Sequence, residues 1–344
     1  MTAAESDLAS PKIFIVGNSR SGTTMMGRIL GNHALVFTLG ELHFFEQLWS
    51  PADGESYRSE AEAVQLMAHL LSIQRQGYLS RGNPERFLKE ASEIVSSTQT
   101  RIVNPAGVFE EFLLYEAEKN GKMIPCDQTP RNVFYIEEIL ELYPEARIIN
   151  MIRDPRDVLL SQKRKWKRRF LGAKGIPLRE ALRSWVNYHP ITISKLWNAS
   201  IHAAARFTDE RVYSLRFEDL LVDPEAATRE ICEFIGISFD RALLKVPQIG
   251  SSSGLDRPEQ RGIDYTKAGS WRRGGGLNST EVFLCQKVTG TWIEQYGYSP
   301  VPVVPNPLRL GLSMASFPIK LSLALLLNLK RMRNIKETVK RRLQ

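Results

Sequence analysis

Hydrophobic and polar positions along this chain alternate between two patterns. Short apolar runs, KIFIV at 12–16, MIPC at 123–126, RIINMIR at 147–153 and VYSLRF at 212–217, have the length and composition of buried strands. Between them, apolar residues recur three and four apart, as on an amphipathic helix. This spacing predicts helices over 25–32, in pieces across 58–98 with a break near Gly82-Asn83-Pro84, and over 107–120 and 131–143. It predicts further helices after Asp154, which is set to cap the turn begun by Pro155, as one long helix within 178–207, and within 218–236. A last helix is expected after 278, capped by Ser279 or Thr280. Short buried strands alternating with helices imply an α/β fold, a central parallel sheet covered on both faces.

The pattern organises the chain as one α/β domain over 1–300, with a helical insertion at about 50–120, followed by a linker and an amphipathic basic tail over 301–344. The stretch 249–278 is rich in Gly, Ser and Arg and reads as a long loop, either disordered or organised by a ligand. Residues 310–329 are apolar but interrupted by Pro318 and Lys320, which suits an interfacial anchor better than a clean span; packing on the core is the other reading.

Composition changes this picture little, because 43% hydrophobic and 24% charged residues are ordinary for a globular chain. The three cysteines, Cys126, Cys232 and Cys285, are widely spaced and read as buried or free thiols of a reducing compartment. The N-terminal MTAAESDLASPK lacks the basic and apolar regions of a signal peptide, so a cytoplasmic protein is expected. The five histidines lack zinc-ligand spacing, and no metal is expected.

Charge adds more. The net +8 is concentrated at the end, where seven Lys and Arg face one Glu from Lys330 onward. A second cluster is KRKWKRR at 163–169. Both are either solvated helix faces or contacts, the inner one to an anionic ligand and the tail to an anionic membrane. Peripheral membrane contact through 310–344 is therefore one expectation. Nucleic acid is not expected, since the inner run carries one aromatic, Trp166, and no recognised motif.

The candidate chemistry begins at Gly17-Asn18-Ser19-Arg20-Ser21-Gly22-Thr23-Thr24, which nearly fits GxxxxGK[ST] between a strand and a helix. Glycines let backbone N–H groups turn toward an anion, and the following helix start adds partial positive charge. Thr23 stands where a nucleotide-triphosphate loop has lysine, and the basic residue comes earlier, at Arg20. A kinase would need that lysine and acidic magnesium ligands. A non-enzymatic nucleotide-binding membrane adaptor would share the loop and the tail but transfer nothing. Arg153 ends a strand, and Ser161 follows eight residues later, a pair able to cradle phosphate. Arg153 pairing with Asp154 or Asp157 is the plainer alternative.

The ordered set RSGTT, RDPRDVLLS, RFEDLLVDP and GSWRRGGGL resembles the PAPS-dependent sulfotransferases, where PAPS is 3′-phosphoadenosine 5′-phosphosulfate, over about residues 12–298. The loop arginine in place of lysine resembles the tyrosylprotein sulfotransferases and related bacterial enzymes most. The resemblance implies a P-loop-like fold and sulfuryl transfer from PAPS without a metal. It implies that Arg20, Ser21, Gly22, Thr23 and Thr24 hold the 5′-phosphosulfate and that Arg153 and Ser161 hold the 3′-phosphate. It places Phe217 near the adenosine and offers Lys267, Trp271 and Arg272 as a closing loop. Gln128 stands where relatives often carry a lysine, so that charge is either absent or supplied by Arg131. Glu41, after the first helix, is implied as the base, with His43 in reserve; a capping role for Glu41 is the alternative. The acceptor, a glycan, lipid, peptide or small alcohol, is not legible, nor is the oligomeric state.

Overall fold

The computed structural model describes residues 11–50, 59–78, 82–98, 104–170, 177–248, 257–273 and 276–328. Five parallel strands, β1 (Ile13–Gly17), β2 (Val36–Thr38), β3 (Ile124–Asp127), β4 (Arg147–Ile152) and β5 (Val212–Arg216), form one sheet in the order β2-β3-β1-β4-β5. The helices are α1 (Thr23–Gly31), α2 (Glu60–Gln76), α3 (Leu88–Ser97), α4 (Pro105–Lys119), α5 (Ile136–Leu142), α6 (Pro155–Arg164) and α7 (Leu178–Asn187). They continue as α8 (Pro190–Ala205), α9 (Phe217–Val222), α10 (Pro224–Ile235), α11 (Ser279–Thr289), α12 (Trp292–Gln295) and α13 (Pro307–Asn328).

Strand β1 shows why the sheet is covered twice. Successive side chains point to opposite faces. Phe14 and Val16 enter a core shared with α2, α3 and α4, while Ile13 and Ile15 enter a core with α1 and α10. Helices α2, α3 and α4 therefore pack on the sheet. The chain runs from β1 outward to β2 and β3 on one side, then crosses to β4 and β5 on the other. The reversal lies between β1 and β4, where an open parallel sheet offers a crevice beyond its strand ends. The loops that follow β1 and β4 carry Arg20 and Arg153 to that crevice.

Several local expectations are corrected. The long helix expected within 178–207 is two, α7 and α8, because Pro190 lacks an N–H and disfavours helical geometry at His189; the His189 ring instead accepts the Ile191 N–H at 3.3 Å. The expected loop 249–278 contains a strand, β7 (Arg257–Arg261), antiparallel to β6 (Pro247–Gln248), and 3₁₀ turns at Tyr265–Lys267 and Ser270–Arg272; residues 249–256 and 274–275 of that expectation lie outside those described. Helix α11 is capped by Asn278 rather than Ser279 or Thr280, through a reciprocal box with Glu281. It is not the last helix, since α13 takes up the apolar segment 310–329 up to Asn328. Strand β2, three residues long, was too short to leave a pattern.

Candidate active site

Strand β1 ends at Gly17, where φ is 136° and a Cβ would lie 2.3 Å from the Met151 carbonyl oxygen. Only glycine fits there. The chain turns through 18–22, closed by Ser21 N–H donating to the Asn18 carbonyl at 3.1 Å. Gly22 has φ 100°, and a side chain on it would strike the Phe217 ring at 2.3 Å. Helix α1 then starts at Thr23 with no side-chain cap and no acidic residue in its first turn, so its positive end is not neutralised by its own carboxylates. Ser21 is buried, and its hydroxyl has no hydrogen-bond partner among the described residues.

Arg153 and Ser161 converge on this loop. Arg153 donates from Nη1 to the Arg20 carbonyl at 3.2 Å and from Nη2 to the Lys267 carbonyl at 2.8 Å. Its Nε is buried without a partner. The guanidinium lies 4.5 Å from the centre of the Phe217 ring, the same ring that backs Gly22. The Arg20 Nε donates to the Ser161 hydroxyl at 2.9 Å. The acidic residues beside Arg153 are engaged elsewhere. Asp154 caps α6 and receives Arg156 Nη2 at 2.8 Å, and Asp157 receives the amides of Gly269 and Trp271 and the Ser270 hydroxyl at 2.7–2.9 Å.

That clasp by Asp157 fixes the late loop over the start of α6. Trp271 is buried there, its ring nitrogen donating to Asp154 at 3.2 Å and its face 4.2 Å from the Arg156 guanidinium. The indole thus braces the loop from within. Arg272 lies exposed against the same ring at 5.1 Å, and the Lys267 ammonium pairs with Asp264 at 3.0 Å. Lys267 meets Arg153 through its backbone carbonyl, not its ammonium.

On the opposite side, β2 leads to Glu41 and His43. Thr129, just beyond β3, accepts the Leu42 N–H at 2.9 Å and donates to the buried Asp127 carboxylate at 2.6 Å, which pins this turn. Among the described residues, the only two non-glycine positions with positive φ are Arg20 at 78° and His43 at 53°, both facing this cleft. His43 is buried, with Nε2 3.4 Å from Glu41 and Nδ1 3.1 Å from Glu46. Burial disfavours its charge, but hydrogen bonds to Glu41 and Glu46 outweigh this and raise its pKa. Desolvation also opposes ionisation of Glu41, which keeps 46% of its side chain exposed; the His43 bond and the charges of His43, Lys165 and Arg20 prevail and lower its pKa. Glu41 heads no helix here and holds His43 instead. Arg131 is turned away onto Glu46 at 2.8 Å, so it does not replace the missing charge at Gln128.

A lysine that the pattern did not single out stands beside Arg20. Lys165, one helical turn beyond Ser161 at the end of α6, lies among Arg20, Glu41, Arg168 and Arg183. Burial, then the Arg20 charge, pushes its pKa down to about 8, with Glu41 opposing. Burial, with Arg168 and Arg153, likewise lowers Arg20 to about 10. A negative charge brought beside them would favour the charged form of both. The basic run 163–169 was the available signal; which of its members faces inward depends on where α6 ends.

The sequence profile of the sulfotransferase family matches residues 11–241, two thirds of the chain. The chain belongs to the sulfotransferase family. The chain is similar to a protein-tyrosine sulfotransferase of Drosophila melanogaster, 25% identical over 237 residues, 68% of this chain and 40% of that protein. It is similar to an omega-hydroxy-beta-dihydromenaquinone-9 sulfotransferase of Mycobacterium bovis, 25% identical over 348 residues, 89% of this chain and 80% of that protein. The chain spans less than half the length of two curated relatives it matches, 30% and 40%. Among solved structures, a sulfotransferase domain from the curacin biosynthetic pathway is 20% identical with a TM-score of 0.47, covering 85% of this chain and 99% of that one.

The glycine loop, Arg153, Ser161 and Phe217 thus meet at one place, with Glu41 and Lys165 near Arg20. Trp271 and Arg272 stand behind it. Among the described residues, no group of three or more His, Cys, Asp or Glu is arranged to hold a metal ion, and the three cysteines are buried free thiols.

Proposed function

We propose that this sulfotransferase moves a sulfuryl group from PAPS to a hydroxyl or amine of an acceptor, with Arg20 and Lys165 stabilising the leaving group and Glu41 taking the proton. One observation carries the reading. The Phe217 ring lies against both the Gly22 loop and the Arg153 guanidinium, while Arg20 reaches Ser161, which supports one nucleotide spanning the two groups. The buried, unpartnered Ser21 hydroxyl and Arg153 Nε are polar atoms that a doubly phosphorylated nucleotide would satisfy.

The division of labour follows from charge. As the acceptor oxygen bonds to sulfur, the bond from sulfur to the 5′-phosphate oxygen breaks and negative charge collects on that phosphate. Arg20, Lys165 and the loop N–H groups neutralise it in a desolvated site, where such interactions count most. Arg153 and Ser161 hold the distant 3′-phosphate and so align the donor. Glu41, kept ionised by His43 and Lys165, accepts the proton of the acceptor hydroxyl.

The test is transfer of labelled sulfate from PAPS by the full chain to panels of phenols, glycans and lipid alcohols. Transfer that disappears in Arg20→Ala while the fold persists supports the assignment. Equal transfer in that variant, or phosphate transfer from magnesium ATP instead, overturns it.

A further inference from the structure

Helix α13 carries its polarity the wrong way round for a helix in water. Ser313, Phe317, Lys320, Ala324 and Asn328 recur at helical spacing on one face, and that face packs on the protein. The Ser313 carbonyl meets His189 Nε2 at 3.1 Å, Lys320 Nζ donates to the Tyr188 carbonyl at 3.1 Å, and Asn328 Nδ2 donates to Asn187 Oδ1 at 2.9 Å. The opposite face presents Leu308, Leu312, Ile319, Leu323 and Leu326, each 45–74% exposed. Polar groups thus tie the helix to the domain, and leucines point outward.

Helix α7 extends the same surface. Leu178, Leu182 and Trp185 share one face and are all more than half exposed. Trp185 is the seam, because the Lys320 ammonium lies 4.8 Å from its ring centre. The other face of α7 turns toward the cleft, where Arg183 pairs with Glu180 at 2.5 Å and lends its charge to the surroundings of Lys165. One helix therefore joins the apolar surface to the rim of the candidate active site.

We propose that the α7–α13 face docks in the plane of an anionic bilayer, holding the cleft at the lipid surface. An exposed apolar stripe of two helices is larger than the scattered leucines of an ordinary surface. The occupant follows from charge: the sequence immediately after Asn328 has seven Lys and Arg against one Glu, which complements anionic headgroups rather than a second copy of this basic chain. Helix α13 is long and apolar enough to cross a membrane. Its clasp to Asn187, Tyr188 and His189, at the junction of α7 and α8, instead holds it along the domain, so it lies in the interface with its leucines down. If the transfer reading above holds, the acceptor is an amphiphilic alcohol presented by the bilayer.

The experiment is sedimentation of the full chain with vesicles of phosphatidylcholine alone or mixed with phosphatidylglycerol, without PAPS, so that binding is read independently of chemistry. Binding to the mixed vesicles is expected to exceed binding to neutral ones several-fold and to weaken with salt. The double substitution Leu312→Glu and Leu323→Glu should lower partition at least about tenfold at an unchanged melting temperature. Leu182→Glu, on the other helix, should lower it too. Partition unchanged in both variants overturns the proposal. So does resistance of the bound chain to alkaline carbonate, which marks a spanning helix, or a dimer in solution that the same substitutions disperse. Loss of vesicle binding with transfer to soluble alcohols intact would leave the chemistry standing and sever it from the membrane.

Discussion

Arg20 and Ser161, 141 residues apart in sequence, meet through a 2.9 Å hydrogen bond from the guanidinium Nε to the hydroxyl. The bond fixes the direction of a side chain whose backbone already sits at a left-handed φ of 78°. Arg20→Ala is expected to lower kcat by roughly a hundredfold or more, the scale for losing one charge-stabilising group. Ser161→Ala, which leaves the guanidinium in place but unguided, should cost about tenfold and fall mainly on KM for the donor. Steady-state transfer kinetics separate the two patterns.

Glu41 titrates below its ordinary range because His43, Lys165 and Arg20 favour its charged form. A lowered carboxyl pKa keeps the base ionised above that value and loses it only as pH falls through it. The acid limb of kcat is therefore expected below the usual carboxylate range. His43→Gln removes the largest favourable contact and should move that limb upward. Glu41→Gln should reduce turnover far more than nucleotide affinity. An acid limb that stays in place in the His43 variant would separate the histidine from the base.

Lys165 gives a prediction in a more alkaline window. Its folded pKa of about 8 lies below the ordinary 10.5, so the unfolded chain binds more protons between those values. Stability of the free protein should rise with pH across that window, and Lys165→Met should flatten the rise. An anion in the cleft restores the charged form. Binding of the product nucleotide near pH 8–9 should therefore take up protons, seen by calorimetry in buffers of different ionisation enthalpy. Binding without proton uptake would remove Lys165 from the anion site.

Gly22→Ala meets two obstacles at once, a φ of 100° and the Phe217 ring at 2.3 Å. A loss of roughly 2–4 kcal/mol in urea unfolding is expected. Phe217→Leu should give back only the steric part, because the backbone conformation remains unfavourable.

The strands and the glycine loop were readable because each depends on neighbours in sequence. KIFIV must be buried on both faces, and only glycine tolerates the turns at Gly17 and Gly22. The spacing from Arg153 to Ser161 survived for the same reason, being set by one strand end and one helix. Features that depend on distant parts were hidden. Nothing local distinguishes Lys165 from its basic neighbours, and no periodicity tells which way Trp271 faces. The break at Pro190 was written in the sequence and overridden by the amphipathic spacing on either side of it. The outward leucines of α13 were visible as an apolar run, but their orientation follows from contacts with Asn187, Tyr188 and His189.

Arg153 grips the backbone carbonyls of Arg20 and Lys267, drawn from two separate segments of the chain. One planar group thus acts as a hinge pin for both. Removing that single guanidinium is therefore expected to unfasten the loop after β1 and the turn at Tyr265–Lys267 together.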